Sequence, residues 1–452
     1  MGPTGLCLLL LAAAPAEQPF TVDVGGRFEA AVGTNIGQSA IGTVDTSWLL
    51  EPDVLVQDRW SRGRFVLEYR PWILYTPTVT LHDVLVLNRI SATLLEELTP
   101  NSGIFVTSRM WIGDQAFSPV VTPSTLAPIG QPPTGPSYPG QLPTVRALSV
   151  IDSETRAGYH FYPIRNLRLQ LEAGYVYSEG ANPASRLQLP LQRGPLVEVR
   201  ADYAMSVRDQ LIPTFRTGLL SYGPVFRPAG SVEGGVTVLL PHFQTGLAVE
   251  GTEAALRWVH QATPLISWEV AGGLGVLWRS SSTDLTTGDL VWIRPGIPVP
   301  GGWNVYPIAG LRARQVVPLV SQVLEFSEAA ALAPIIDRFS ATVVQRLQAT
   351  ITGRYGFVSR WALETQGTAV VGIDATQLDV RAEVKLTWQP VRHLQISAGT
   401  RLAYVDYPVV GNVPQPLNGF SWVAFLAITT GTMDPPPCDT GGPPGLGRWC
   451  WR

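Results

Sequence analysis

The residues most capable of chemistry in this chain are arginines and carboxylates set at every second position. Arg168 and Glu172 alternate with Leu167, Leu169, Leu171 and Ala173, and Arg381 and Glu383 alternate with Leu378, Val380, Ala382 and Val384. Two chemistries suit such a row. Guanidinium groups facing water bind carboxylates or phosphates bidentately, whereas guanidinium and carboxylate groups on neighbouring strands can pair into a stiffening lattice. The candidates are Arg156, Arg168, Arg200, Arg216, Arg346, Arg381 and Arg401 with Glu172, Glu269 and Glu383; Lys385 is the single lysine.

Catalysis is not expected. The chain has five histidines. A dyad or triad needs one of them beside a serine or paired carboxylates. His160 shares an alternation phase with Asp152 and Glu154, and His82 adjoins Asp83, but neither lies in a hydrolase-like pattern. Cys7, Cys438 and Cys450 have no histidine near enough in sequence to build a zinc site. No glycine loop that cradles phosphate and no calcium-loop spacing occurs, so no cofactor and no metal are expected. With a net charge of −3 and a pI of about 6.0, the chain lacks the basic footprint of a nucleic-acid binder.

The elements that position these residues follow from the alternation. In "ISWEVAGGLGVLWR", Ile266, Trp268, Val270, Leu274, Val276 and Trp278 fall on one side, and Glu269, Ala271 and Arg279 on the other. The same period of two recurs at 22–32, 167–177, 197–203, 378–388 and 394–404, so these are strands with one apolar face. Many of them are longer than the five or six residues of a common soluble strand. They match the roughly 9–11 residues that a tilted strand needs to cross a bilayer.

Composition agrees. Charged residues make up only 15% and mean hydropathy is +0.15, yet Gly and Pro interrupt every run long enough for a membrane helix. Short links at 61–63, 99–102, 163–165, 208–209, 263–264 and 390–391 alternate with long ones at 113–143, 180–194, 221–245, 281–302 and 406–419. The expected fold is therefore all-β: a transmembrane up-and-down antiparallel barrel of about 18 strands (16 to 20), with short periplasmic turns and long extracellular loops. Two places are ambiguous. Val232–Leu240 could be a loop hairpin, and "VLEFSEAAALAP" near 323–334 has a locally helical composition.

Aromatic residues fit this reading. Trp268 and Trp278 lie roughly 33 Å apart along a strand, which a tilt near 40° turns into about 25 Å of height. Trp258, Trp268, Trp361 and Trp388 are placed at a periplasmic girdle, and Trp278, Tyr404 and Trp422 at an outer one.

Three segments follow. Residues 1–16 read as a cleaved signal peptide, with an apolar Leu6–Ala13 and an Ala14-Pro15-Ala16 cleavage site. Residues 17–432 form the barrel. Residues 433–452 form a Pro/Gly-rich periplasmic tail in which Cys438 and Cys450 could pair in an oxidising compartment or remain as free thiols.

On these residues the chain resembles the single-chain outer-membrane β-barrels of Gram-negative bacteria. "GFSWVAFLAITTGT", Gly419–Thr432, resembles their last strand, although "MDPPPCDTGGPPGLGRWCWR" follows where many such barrels end on an aromatic. The resemblance implies location in the outer membrane. Its lipid and lipopolysaccharide, the barrel-insertion machinery and periplasmic components of an export system would be the partners. Within the class the arginine-rich inner face is similar to those of sugar-specific porins and exopolysaccharide export barrels. The expected function is a conduit for polar solutes or an exported polysaccharide. The alternative is a structural or adhesive barrel with an occluded lumen, occupied by the 113–143 segment, that acts through its loops.

Overall fold

The computed structural model describes residues 20–34, 44–77, 84–117, 146–228, 231–233, 236–238, 241–286, 297–319, 322–336, 343–358, 360–373, 377–391, 393–406 and 419–431. The leader, the 118–145 loop, His82 and the tail with Cys438 and Cys450 lie outside the described residues.

One antiparallel sheet dominates. Its strands are β1 (Thr21–Thr34), β2 (Val44–Trp60), β3 (Gly63–Tyr69 and, past Arg70-Pro71, Trp72–Tyr75), β4 (Val84–Thr99), β5 (Ser102–Phe117) and β6 (Arg146–Ile164). Then come β7 (Leu167–Gly180), β8 (Gln192–Ala204), β9 (Asp209–Tyr222), β10 (Ala248–Thr263), β11 (Ile266–Arg279) and β12 (Gly302–Leu319). The last third holds β13 (Gln322–Ile336), β14 (Val343–Val358), β15 (Trp361–Gly372), β16 (Gln377–Val391), β17 (Leu394–Asp406) and β18 (Gly419–Thr430). Each pairs with its neighbour in the chain, and β18 returns to β1 in register from Gly26↔Thr430 to Gly33↔Val423. The sheet is thus a closed barrel of 18 strands, the two pieces of β3 sharing one place in the wall.

Proline explains the break in β3. Pro71 cannot donate to the ladder, and Arg70 instead donates its amide to the Arg89 carbonyl at 2.9 Å. Glycine is required in β5, where Gly113 has φ +134° and a Cβ would lie 2.0 Å from the Val86 carbonyl oxygen.

The described connections at 61–62, 100–101, 165–166, 205–208 and 264–265 are tight turns at one end of the barrel, and the 181–191 connection lies at the opposite end. The 181–191 connection carries a short helix, Pro183–Gln188, whose first turn is capped by Asn182 accepting from the Ser185 amide at 2.8 Å. Among the described residues Ser231–Glu233 and Val236–Val238 pair with each other and with no wall strand, as a loop hairpin does, and Glu233 is in none of the 18 wall strands. The helix-like composition near 323–334 does not prevail. Gln322–Ile336 is a strand, laddered to β14 over Val323–Ile336 and to β12 over Gln322–Leu332, so its backbone is satisfied in the sheet.

Candidate functional site

The two faces of the wall differ as the alternation requires. In β11 the even residues Ile266, Val270, Leu274, Val276 and Trp278 are exposed on the outside, Leu274 at 57%, while Ala271 and Leu277 are buried and Glu269 is partly covered on the inside. The same holds for Val197 and Val199 against Glu198 and Arg200, and for Leu402 and Tyr404 against Arg401. The sheet closes on itself through β18 and β1, and an apolar exterior of strand length needs hydrocarbon around it.

The protein is a transmembrane β-barrel of the outer-membrane type. No protein-family model matches the chain, and no curated protein does. Among solved structures, the chain is similar to the outer membrane protein opdK of Pseudomonas aeruginosa at 9% identity, covering 91% of this chain and 98% of that one with a TM-score of 0.39. It is also similar to OpdQ of the same species, at 11% identity, 91% and 97% coverage and a TM-score of 0.41. A third is the ferric-catecholate import receptor Fiu of E. coli K12, at 8% identity, 90% and 81% coverage and a TM-score of 0.44. At these values the likenesses transfer no substrate and no partner.

The inner face carries ion pairs between neighbouring strands. The most extensive network starts on β1, where Glu29 is fully buried and accepts from both Arg401 terminal nitrogens at 2.6 and 3.0 Å, and also from Arg27. Arg401 donates its Nε to Glu383 at 2.8 Å, and its guanidinium lies 4.0 Å from the Phe425 ring centroid. Lys385 continues the chain to Glu364 at 2.9 Å, and Arg354 reaches the same carboxylate at 3.6 Å. Alternating charge therefore runs from β1 across the closing strand to β14.

Further round the wall, Glu154 holds Arg109 and Arg156, and Arg156 also donates to Glu172 at 2.8 Å. Asp202 takes Arg200 at 2.7 Å and Arg168 at 3.8 Å. Arg216 makes two bonds to Glu198 at 2.9 and 2.7 Å, Arg257 meets Glu269 at 3.3 Å, and Glu51 holds Arg70 and Arg89. Each pair joins groups that the strand register places near one another. This holds the buried arginines Arg168, Arg216 and Arg401 against the wall.

The ten residues read from the sequence as lumen-lining thus all sit on the inner face, but six of them are buried: Arg168, Glu172, Arg216, Arg346, Glu383 and Arg401. Their partners cover them. Arg156, Arg200, Glu269 and Arg381 are partly exposed, and Arg381 folds back on Asp379. The groups that face open solvent inside are others, with Arg354 at 62% side-chain exposure, Arg109 at 42% and Arg70 at 40%. Arg312 is also exposed. Arg360 lies in the turn before β15, outside any strand.

The inner face is not charged throughout. Towards the long-loop end Leu49, Trp72, Leu74, Leu85, Leu87 and Val150 form an apolar cluster, against which Trp111 packs. Leu189, from the 181–191 connection, is buried in it, so this loop folds inward onto the wall. The signal was present in "WILY" and "VLVL", apolar in both alternation phases where one phase must face inward. A second cluster joins Leu220, Tyr222, Leu247, Val249 and Leu277 with Tyr306.

The aromatic residues cluster on the exterior near the strand ends. Trp258 and Trp268 meet edge-on at 4.5 Å between centroids, and Trp361 stacks on Trp388 at 5.7 Å, both at the tight-turn end. Trp278, Tyr404 and Trp422 lie on the outside at the other end, Trp278 opposite Trp303 and Tyr404 opposite Phe420. The sequence reading missed a polar cap on the first pair: Asp209 accepts from Trp258 Nε1 at 3.2 Å and lies 2.8 Å from His260 Nδ1. His160, on the inner face, packs edge-on against Tyr162, while Glu154 is engaged by arginines. It missed also Glu328, a carboxylate exposed on the outside between Ala313 and Ile351.

Proposed function

We propose that this barrel is a passage for small polar solutes across the outer membrane, with a wall held rigid by its ion pairs. The observation that carries the reading is the solvent-exposed set of inward-facing cations, Arg354 above all, inside a wall whose exterior is apolar. Charged side chains that keep water contact within a closed barrel require a hydrated interior. Exposed guanidinium groups there would favour anions mildly, since their partners already neutralise most of the remainder.

Export of a polysaccharide is a narrower form of the same proposal, and it would need periplasmic components as partners. Lipid and lipopolysaccharide would contact the exterior between the Trp258, Trp268, Trp361 and Trp388 girdle and that of Trp278, Tyr404 and Trp422. Insertion machinery would place the barrel. The second reading is an occluded barrel that acts through its loops; the inward-folded Leu189 and its apolar cluster favour it, because they narrow the loop end.

Single-channel recording in planar bilayers decides between them. Stepwise ohmic conductance supports the passage. Electrical silence from correctly inserted protein, persisting after deletion of residues 118–145, contradicts it and supports the occluded barrel.

A further inference from the structure

The ladder between β12 and β13 stops well short of the strand ends. The pairing of β11 with β12 is continuous from Arg279↔Gly302 to Ile266↔Gln315. The pairing of β12 with β13 begins only at Ala309↔Leu332 and runs down to Leu319↔Gln322. β13 and β14 stay zipped to each other up to Ile336↔Val343. β14 also keeps its ladder to β15 as far as Arg346↔Gly372, and the Ile373 amide donates to the Gln345 carbonyl at 2.8 Å. At the long-loop end β13 therefore parts from β12 while β14 holds its place in the wall, and among the described residues the Val305–Ile308 edge of β12 has no ladder on that side.

The upper end of β13 turns inward. A Cβ on inward-facing Gly275 would lie 3.2 Å from Pro334 Cγ, 3.5 Å from Ile308 Cδ1 and 3.8 Å from Glu253 Cγ. Pro334 thus sits over the inner surface of β11, two strands away from its own place in the wall. Ile308 and Ala333, which would form the next rung, are both buried. A polar contact crosses the seam: Gln345 Nε2 donates to the Pro307 carbonyl at 2.8 Å.

The seam lies at membrane depth. Trp303 is opposite Trp278 in register, so Asn304–Ile308 runs from the outer aromatic level towards the bilayer centre. An unzipped backbone edge is costly in hydrocarbon, so whatever occupies the seam must supply contacts there. Apolar surface leads to it from both sides. Inside, the cluster of Leu220, Tyr222, Val249, Leu277 and Tyr306 crosses β9 to β12 and ends at the seam. Outside, Trp303 is 68% exposed and Val305 48%. Beneath this end of β13, Glu253 is buried with its Oε2 unbonded among the described residues, a desolvation cost that outward movement of Pro334 would relieve.

From this juxtaposition we propose that the β12–β13 seam is a lateral passage that admits the acyl chain of a membrane amphiphile from the outer leaflet into the lumen. The tail lies along the Leu277–Tyr306 surface, and the polar head stays with water. The inference needs only the closed apolar-coated wall and is independent of the polar passage.

The test places the photoreactive residue p-benzoylphenylalanine at Tyr306 in protein reconstituted into phosphatidylethanolamine–phosphatidylglycerol vesicles with tritiated phosphatidylethanolamine. A lipid adduct is expected at 306 and not at Val423, which also faces inward but where the ladders to β1 and β17 are in place. With Cys7, Cys438 and Cys450 replaced by serine, Ile308→Cys with Ala333→Cys should cut the adduct at least tenfold when oxidised and restore it when reduced. No adduct at 306, equal labelling at 423, or labelling indifferent to the closed disulfide would overturn the proposal. If the cysteine pair does not fold, Gln345→Ala serves. It should raise the adduct severalfold, and an unchanged yield would overturn the proposal. Conductance of the same vesicles reports the polar passage separately.

Discussion

Replacing Arg401 with methionine is the most informative single perturbation of the wall. The guanidinium is 4% exposed and spans the closing strands, with two bonds to fully buried Glu29 and one to Glu383. Methionine keeps most of the volume and the contact with Phe425 but strands Glu29 in an environment built for its charge. Removing one partner of a buried pair costs about 3–5 kcal/mol. Arg27 still contacts Glu29 and Lys385 lies 3.6 Å from Glu383, so the lower end, ~3 kcal/mol, is expected, a shift of roughly 100-fold in the folding equilibrium. Urea unfolding of barrels refolded in lipid vesicles, followed by tryptophan fluorescence and heat-modifiable gel mobility, measures it. Adding Glu29→Gln should recover part of the loss, because the stranded charge is then removed. A loss of under about 1 kcal/mol, the size expected of a surface pair, would refute the reasoning that this network locks the closing strands.

Three further outcomes follow from the same geometry. Glu328→Leu removes a carboxylate from the lipid-facing surface and should stabilise the barrel in vesicles by about 1–2 kcal/mol; the same urea titration checks it. Gly194→Val should block refolding altogether, since even a Cβ there would lie 1.7 Å from the Leu219 carbonyl oxygen, and the gel assay would show no compact band. Arg354→Glu with Arg109→Glu reverses two exposed inner charges and should move the reversal potential in a KCl gradient towards cation preference, whereas Arg346→Gln, at a buried site, should leave it near its starting value.

Much of the fold was legible because lipid imposes one rule on every strand. The outward phase of "ISWEVAGGLGVLWR" had to be apolar for its full length, and the alternation of short and long links then pointed to about 18 strands, within a range of 16 to 20. Local composition misled only where backbone satisfaction outweighed it, as in the alanine-rich β13. The candidate site was less legible. Period two assigns Arg401 or Arg216 to the inner face but is silent on register, and register decides whether a guanidinium meets Glu29 or water. The apolar clusters inside were readable in principle from "WILY" and "VLVL", where both phases are apolar. The parting of β13 from β12 was not, since Pro334 and Gly275 meet only through the tertiary packing.

The central claim is tested most directly by nitroxide scanning of residues 269 to 274 in vesicles, comparing collision with oxygen, which concentrates in lipid, against collision with a water-soluble nickel chelate. The account predicts a strict period of two, with oxygen favoured at Val270, Gly272 and Leu274 and nickel at Glu269 and Ala271, Gly273 being left unlabelled because a Cβ there would lie 2.2 Å from the Ala254 carbonyl oxygen. Loss of that alternation, or nickel access at Leu274 equal to that at Glu269, would contradict it.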